Sequence, residues 1–120
     1  MQTKSISIPK LLEKTQKVFN KWIRARDKDK GCISCHGPVE HAGHYFSQGH
    51  HSSLRFNEMN VQGQCCRCNT FLHSNAIHYR NGLVKRYGEQ KVLLLESSAR
   101  RSVKKWTRTE LFAIIEHYTL

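Results

Sequence analysis

The 120-residue chain carries 20 Lys and Arg against 9 Asp and Glu, a formal net charge of +11 at pH 7, and its length suits one domain. This charge attracts polyanions, so nucleic acid is the expected partner and a membrane surface the competing polyanion. No apolar run approaches the roughly 20 residues that span a bilayer, and residues 1–9 lack the apolar stretch of a secretory signal. We therefore expect a cytoplasmic protein without a membrane partner.

The first predicted element is a basic amphipathic helix over residues 9–28, which follows a flexible polar tail of residues 1–8. Apolar side chains between Leu11 and Ile23 recur at spacings of three and four residues, which is the period of one helix face. Pro9 fits the first turn of this helix. The opposite face is basic and is either solvated or in contact with phosphates. It carries Lys10, Lys14, Lys17, Lys21 and Arg24.

The segment 32–69 loses this periodicity and holds all five cysteines of the chain. Two C-x-x-C pairs lie at its ends, and they are Cys32 with Cys35 and Cys65 with Cys68. In a cytoplasmic chain two such pairs predict a tetrahedral four-thiolate zinc site. The zinc is expected to be structural, because four thiolates leave no coordination position open for water. Cys66 is expected to point away from the site, although a rival set would use Cys66 with Cys68 at poorer spacing.

A second helix is predicted after the cysteine segment, from about Thr70 to Tyr87, and Gly88 is expected to stop it. Its buried stripe is expected to consist of Ile77, Leu83, Val84 and Tyr87. Residues 89–96 contain an apolar run that indicates a short buried helix or, alternatively, a strand.

Thr107 and Glu110 form a capping box that predicts the start of a last helix. One domain over residues 9–120 is therefore expected. It consists of the N-terminal helix, a zinc-binding core at 32–88 and a helical C-terminal extension at 89–120.

Candidate catalytic residues lie between and directly after the cysteine pairs. His44 and Asn60 lie between them, and Asn69 follows the last cysteine. A histidine, an asparagine and a third polar residue after a C-x-x-C pair occur in this order in HNH nucleases. A neutral imidazole, with an ordinary pKa of about 6.5, can take a proton from water. A cation such as Mg2+ or Mn2+ can neutralise the charge that develops on a phosphate.

Several rare spacings agree at once with one known family. The matching stretches are Cys32-x-x-Cys35, Ala42-Gly-His44-Tyr45, Leu54-Arg-Phe-Asn57-Glu58, Asn60, Gln64-Cys65-x-x-Cys68-Asn69 and Asn75. With them the chain resembles the lambdoid phage recombination family NinG, also called Rap, over most of residues 10–88. A four-cysteine site followed by an asparagine is also similar to phage resolvases of the endonuclease VII type.

The resemblance implies an α+β fold with a ββα-metal core, also called HNH or His-Me finger, between N-terminal and C-terminal helices. It implies a structure-specific endonuclease that cuts branched recombination intermediates, such as Holliday junctions and D-loops, with one Mg2+ or Mn2+. A phage-encoded or prophage-encoded chain of this kind is expected in the cytoplasm of the bacterial host. A recombinase partner is compatible with that role.

Within the resemblance, His44 matches the general base and Asn69 a cation ligand that binds through its side-chain oxygen. Asn60 matches the middle asparagine, whose amide holds the loop and which orients the base histidine through its backbone carbonyl. The acidic residue or histidine that HNH proteins commonly place before the base is here Gly43. His41 shares the face of position 43 in an extended strand, so His41 is either a second cation ligand or a bystander.

His73 stands, with Ser74, where the family carries a serine-glycine pair. His73 is either an extra cation ligand or a surface residue of the second helix, and the surface position is the expected one. The remaining histidines are expected to be structural.

Basic residues flank the candidate site and are expected to contact DNA phosphates, which positions a duplex without reading its bases. They are Arg55, Arg67, Arg80, Lys85, Arg86, Arg100, Arg101, Lys104, Lys105 and Arg108. Trp106 is either a core anchor of the last helix or a stacking platform for an unpaired base. Paired cuts in a four-way junction require two active sites, so we expect a homodimer joined through the apolar faces of the terminal helices.

A non-catalytic, zinc-stabilised DNA-binding module is the alternative function, because it explains the charge and the cysteines equally well. A third hypothesis is a zinc-stabilised partner-binding protein with an incidental basic face. The endonuclease alone requires His44 and Asn69 to act together.

Overall fold

The computed structural model describes residues 6–120, so the first five residues of the predicted tail lie outside the described part. Within that range the elements are α1 (Ile8–Asp27), β1 (His41–His44), β2 (Val61–Gln64), α2 (Ala76–Tyr87), α3 (Glu89–Ser98) and α4 (Arg108–Tyr118). This order confirms an α+β chain with helices on both sides of a small sheet. None of the described helices is both long and apolar enough to cross a lipid bilayer.

Helix α1 occupies the predicted segment, and its start is set by a side-chain cap. The Ser7 hydroxyl accepts a hydrogen bond from the backbone N–H of Lys10 at 3.4 Å, and Pro9 lies in the first turn. This cap satisfies an N–H that has no partner inside the helix. The helix therefore begins at Ile8, one residue inside the segment that was predicted to be a tail.

The apolar face of α1 forms a core with α4. Leu11, Phe19 and Ile23 of α1 and Leu111 of α4 are completely buried. The Phe19 ring packs edge-on against Tyr118 with the ring centroids 4.7 Å apart. Because the two helices bury these apolar faces against each other within one chain, the faces are already occupied in this structure, and the predicted homodimer stays a prediction.

The start of α4 matches the prediction. The Thr107 hydroxyl accepts from the Glu110 backbone N–H, and the Glu110 carboxylate accepts from the Thr107 backbone N–H. Just before this cap, Trp106 packs edge-on against Phe56 with centroids 5.1 Å apart and donates its ring N–H to the Ser52 carbonyl at 2.9 Å. These contacts support the core-anchor interpretation of Trp106.

Strands β1 and β2 form an antiparallel pair in which His41 lies opposite Gln64 and His44 opposite Val61. Strand β2 is buried along its whole length. Its link to α1 is the carboxylate of Asp27, which accepts hydrogen bonds from the Gly63 N–H at 2.8 Å and from Arg26 Nε at 2.7 Å.

Helix α2 begins at Ala76 and not at Thr70 as predicted. The three residues before it have positive φ angles: His73 (48°), Ser74 (71°) and Asn75 (49°). Left-handed residues cannot continue a right-handed helix, so a separate short helical turn, Arg67–Phe71, precedes them. The predicted burial of Ile77 is wrong, since this side chain is 78% exposed and Tyr79 is buried in its place.

A second core lies between α2 and α3. It contains Leu83 of α2, Val92 and Leu95 of α3, and Ile33 beside the first cysteine. Residues 89–96 are therefore helical, the first of the two predicted alternatives. The helix is buried on one face only, because Leu94 is 70% exposed.

Asp27 makes the stability of this fold dependent on pH. Burial by itself would raise the pKa of Asp27, but the hydrogen bonds from Arg26 and from the Gly63 N–H outweigh it and hold the pKa below its ordinary value of 3.8. A carboxylate with a depressed pKa contributes stability above its unfolded-state pKa and loses it as the pH falls through the folded-state pKa. The contribution of Asp27 is therefore complete near neutrality and is lost below about pH 4.

We expect Asp27→Asn to lower the free energy of unfolding at pH 7 by about 3 kcal/mol, because Arg26 loses its buried partner. The difference between variant and parent should shrink as the pH falls below 3.8 and through the depressed folded-state pKa of Asp27, because the parent then loses the same charge. Urea unfolding at pH 7 and over a series of acidic pH values measures both effects. Asp29→Asn is the matched control because Asp29 is exposed, and an equal loss in the two variants would contradict the prediction.

Candidate functional site

The four cysteines of the two C-x-x-C pairs come together in space. The Sγ atoms of Cys32, Cys35, Cys65 and Cys68 all lie within 4.8 Å of one another, and those of Cys35 and Cys65 are 3.6 Å apart. A tetrahedral site with Zn–S distances of about 2.3 Å separates its sulfurs by about 3.8 Å. The cluster therefore suits a metal such as zinc.

Cys66 lies outside the cluster, and its thiol faces the Thr70 hydroxyl at 3.9 Å. The rival ligand set that used Cys66 is therefore wrong. All five cysteines are free thiols, as expected for a metal site in place of disulfides.

Backbone and amide N–H groups point at the sulfurs. The N–H of Gly37 lies 3.4 Å from Cys35 Sγ, that of Cys68 lies 3.4 Å from Cys65 Sγ, and the Asn75 amide donates to Cys68 Sγ at 3.7 Å. The bond from the Cys68 N–H lowers the pKa of Cys65, whereas burial raises the pKa of Cys68 to about 12. A cation at the cluster would supply the positive charge that ionises Cys68.

A polar cleft of about 350 Å³ opens beside β1. His44 and Asn69 both line it, with Gln16 and Asn20 of α1 and with Ser74. The structure thus brings the predicted base and the predicted cation ligand to one cavity. The four-cysteine cluster joins the chain before β1 to the chain after β2.

His44 ends strand β1 and is half-buried in the wall of the cleft. Its Nε2 lies 3.1 Å from the backbone carbonyl oxygen of Arg55, and because a carbonyl only accepts, Nε2 carries the proton and Nδ1 keeps the lone pair. Burial lowers the pKa of His44 below its ordinary value of 6.5, an effect that the hydrogen bond to the Arg55 carbonyl opposes. The ring is therefore neutral at pH 7 and able to accept a proton.

Asn60 is completely buried and holds the loop between the strands. Its side-chain oxygen accepts from the Phe46 N–H at 2.9 Å, and its amide nitrogen donates to the carbonyls of Phe46 and Leu54 at 3.0 and 3.1 Å. These bonds fix the backbone directly before Arg55.

The carbonyl that orients His44 is that of Arg55, so the predicted route through the carbonyl of Asn60 is wrong. The Asn60 carbonyl accepts instead from the Tyr79 hydroxyl at 3.1 Å. Gln16 also donates to the Arg55 carbonyl, at 3.1 Å. Sequence reasoning missed Gln16, and a polar residue beside the apolar stripe of α1 was the signal that could have indicated it.

Asn69 and His41 contact each other directly. The amide nitrogen of Asn69 lies 3.0 Å from His41 Nδ1, and because that nitrogen only donates, Nδ1 accepts and Nε2 of a neutral ring carries the proton. Neither nitrogen of His41 then offers a lone pair to a cation. His41 therefore orients Asn69 in this structure, in place of the predicted role as a ligand, while Asn69 Oδ1 faces Gly43.

The turn before α2 contributes Ser74 to the site. Its hydroxyl donates to the His44 carbonyl at 3.2 Å, which ties the turn to the end of β1. Neighbouring His73 is exposed and is not among the residues that line the cleft. Its position agrees with a surface residue and not with an extra ligand, although the turn replaces the helix on which it was predicted.

Two of the predicted DNA contacts bond to other side chains of the fold. Arg80 forms ion pairs with Glu89 at 3.0 Å and Glu96 at 2.8 Å. Arg86 donates to Gln62 Oε1 at 2.6 Å. Both guanidinium groups hold parts of the fold together and are partly exposed, and their contact with DNA stays a prediction.

Two other predicted DNA contacts also have partners within the chain. Arg55 donates to Gln16 at 2.9 Å, and Lys104 pairs with Glu110 at 2.8 Å. The remaining predicted contacts are exposed. They are Arg67, Lys85, Arg100, Arg101, Lys105 and Arg108.

We expect Cys32→Ser to abolish zinc binding and to lower the thermal unfolding midpoint by about 10 °C or more, because metal binding contributes directly to folding. Native mass spectrometry should show one zinc per parent chain and none in the variant. Cys66→Ser is the matched control and should keep its zinc. The assignment would be refuted by a parent protein whose unfolding is unchanged after chelation.

Comparison with known proteins gives one family. The family model described as bacteriophage Lambda NinG protein matches residues 3–120. The protein ninG of Escherichia phage lambda is 38% identical over 111 residues, covering 89% of this chain and 53% of the relative. The protein ninG of Salmonella phage P22 is 37% identical over 111 residues, covering 89% of this chain and 53% of the relative.

This chain spans about half the length of the curated relatives that it matches. No solved structure matches it at a significant level. Because the family model covers nearly the whole chain, the chain belongs to the bacteriophage lambda NinG protein family.

Proposed function

We propose that this chain is a metal-dependent endonuclease of the HNH type that cuts branched DNA, such as a Holliday junction or a D-loop. The observation that carries the proposal is the cleft that His44 and Asn69 share beside the four-cysteine cluster. Two antiparallel strands followed by a helix, with the base on the first strand, agree with a ββα-metal core.

His44 is the proposed general base. Its Nδ1 lone pair would take a proton from the attacking water, while the Arg55 carbonyl holds the Nε2–H and favours the positive charge that forms on the ring. Asn60 would support this step indirectly, because its hydrogen bonds fix the backbone that presents the Arg55 carbonyl.

Asn69 is the proposed ligand of a divalent cation. Its Oδ1 is an oxygen donor of the kind that Mg2+ and Mn2+ prefer, and the hydrogen bond to His41 holds its amide in place. When bound, the cation would neutralise charge on the phosphate and favour departure of the leaving oxygen. A zinc ion at the cysteine cluster would have a separate, structural role.

Exposed basic side chains support DNA as the substrate. The chain has a net charge of +11, and several of its basic residues are exposed. They include Arg67 before α2 and Arg100 and Arg101 after α3. Contacts to phosphates hold a duplex without reading its sequence, which suits an enzyme that selects a branched shape. Paired cuts at a four-way junction require two clefts, so the proposal includes a homodimer.

The substrate is tested with linear, flapped and four-way DNA of matched sequence, each with Mg2+, with Mn2+ and with chelator. We expect cleavage only with a cation, and faster cleavage of the branched substrates. A non-catalytic DNA-binding module would retain all three DNAs and cut none, and that result would replace the endonuclease with the alternative function.

We expect His44→Ala to reduce the cleavage rate by about 10²–10⁴-fold and to leave the affinity for a four-way junction unchanged. Because burial holds the pKa of His44 below 6.5, the activity of the parent should fall with decreasing pH, as the ring is protonated, with a midpoint below 6.5. Single-turnover rates and gel-shift titrations measure the two quantities.

His50→Ala is the matched control, since His50 is exposed in the loop after β1, and it should cut like the parent. Equal rates for His44→Ala and the parent would remove His44 as the base.

A further inference from the structure

Gln64 has an unsatisfied buried oxygen beside the proposed cation site. Among residues 6–120, its Oε1 is the sole buried side-chain nitrogen or oxygen without a hydrogen-bond partner. The residue is 0% exposed and lies on β2 opposite His41. A buried carbonyl oxygen without a partner is unfavourable, so a group that binds this oxygen would stabilise the site.

The direction of this oxygen is fixed by the other end of the same amide. Gln64 Nε2 donates to the Ser34 hydroxyl at 2.9 Å and to the Ser74 carbonyl at 2.7 Å. The Ser74 carbonyl can only accept, so a reversed amide would set two acceptors against each other. Oε1 must therefore point to the opposite side, toward Gly43.

Gly43 leaves room for two oxygens to converge. A Cβ at position 43 would lie 1.8 Å from Gln64 Oε1 and 3.0 Å from Asn69 Oδ1. The two amide oxygens therefore lie at most 4.8 Å apart beside Gly43, and any side chain at position 43 would displace the Gln64 amide. Two acceptor oxygens this close repel each other unless a donor or a cation lies between them.

Building on the endonuclease function proposed above, we propose that Gln64 Oε1 is an oxygen ligand of the same divalent cation as Asn69 Oδ1. Gly43 has no side chain to act as a ligand, and His41 is bonded to Asn69. Gln64 would supply the missing ligand instead. An oxygen donor set suits Mg2+ or Mn2+, with water and phosphate completing the coordination.

The proposal is tested by Mn2+ titration of the zinc-loaded protein, with free Mn2+ measured by electron paramagnetic resonance. Gln64→Met and Gln64→Glu both remove the Nε2 donor to Ser34 and Ser74, but only glutamate keeps an oxygen and adds a negative charge. We expect Gln64→Met to weaken Mn2+ binding by about tenfold or more and Gln64→Glu to bind at least as tightly as the parent.

Two further variants complete the test, with zinc content and the thermal unfolding midpoint as measures of folding. Ser34→Ala removes one partner of Nε2 without touching Oε1, and it should bind Mn2+ like the parent. Gly43→Ala places a methyl group where the Gln64 oxygen lies, and it should weaken Mn2+ binding while zinc is retained.

The outcomes separate this inference from the proposed function. If Asn69→Ala loses Mn2+ while Gln64→Met binds it like the parent, the Gln64 ligand is overturned and the endonuclease proposal stands. Equal losses in Gln64→Met, Gln64→Glu and Ser34→Ala assign Gln64 a structural role and also overturn the ligand. A parent that binds no Mn2+ beyond its zinc overturns both the ligand and the proposed cation site.

Discussion

The four-cysteine cluster is the constraint on which the rest of the molecule depends. It joins the chain before β1 to the chain after β2, so the loop between them has two fixed ends. A short two-stranded sheet is only marginally stable alone. A metal at the cluster would restrict the unfolded chain and favour the native pairing of His41 with Gln64, on the two strands that carry part of the site.

The long helix α1 then closes the site from the other side. Gln16 reaches from it to the Arg55 carbonyl, and Asp27 at its last turn binds the Gly63 N–H of β2. Polar groups at both positions are buried, so each needs its partner. The helix that supplies the largest apolar face thus also sets the position of the general-base candidate, which links the packing of α1 and α4 to the geometry around His44.

Local signals predicted the parts of this structure that depend on local sequence. The two C-x-x-C pairs, Cys32 with Cys35 and Cys65 with Cys68, identified the cluster, and the Thr107 capping box placed the start of α4, since each of these motifs lies within four residues of the chain. Periodicity predicted α1 to within one residue of its start.

The features that sequence reasoning missed depend on long-range contacts or on unusual backbone angles. The Arg55 carbonyl at His44 and the internal ion pairs of Arg80 arise from segments that meet only in the folded chain. The late start of α2 follows from three consecutive left-handed residues that are not glycine, and preferences of single residues do not predict such a run. Gln64 was part of a stretch that carries the family resemblance, but its unpaired oxygen beside Asn69 depends on the fold and could not be predicted from that stretch.

The left-handed turn at residues 73–75 connects the cysteine cluster to the cleft. Each non-glycine residue in this conformation costs about 1 kcal/mol or more, and the cost is offset by bonds at Ser74 and Asn75 to Gln64, Ser34 and Cys68. Those bonds lead to the cysteine cluster on one side and to the cleft on the other. A metal bound at the cluster would therefore also hold this turn, and with it the part of the cleft wall that Ser74 forms, through the bond from Asn75 to Cys68.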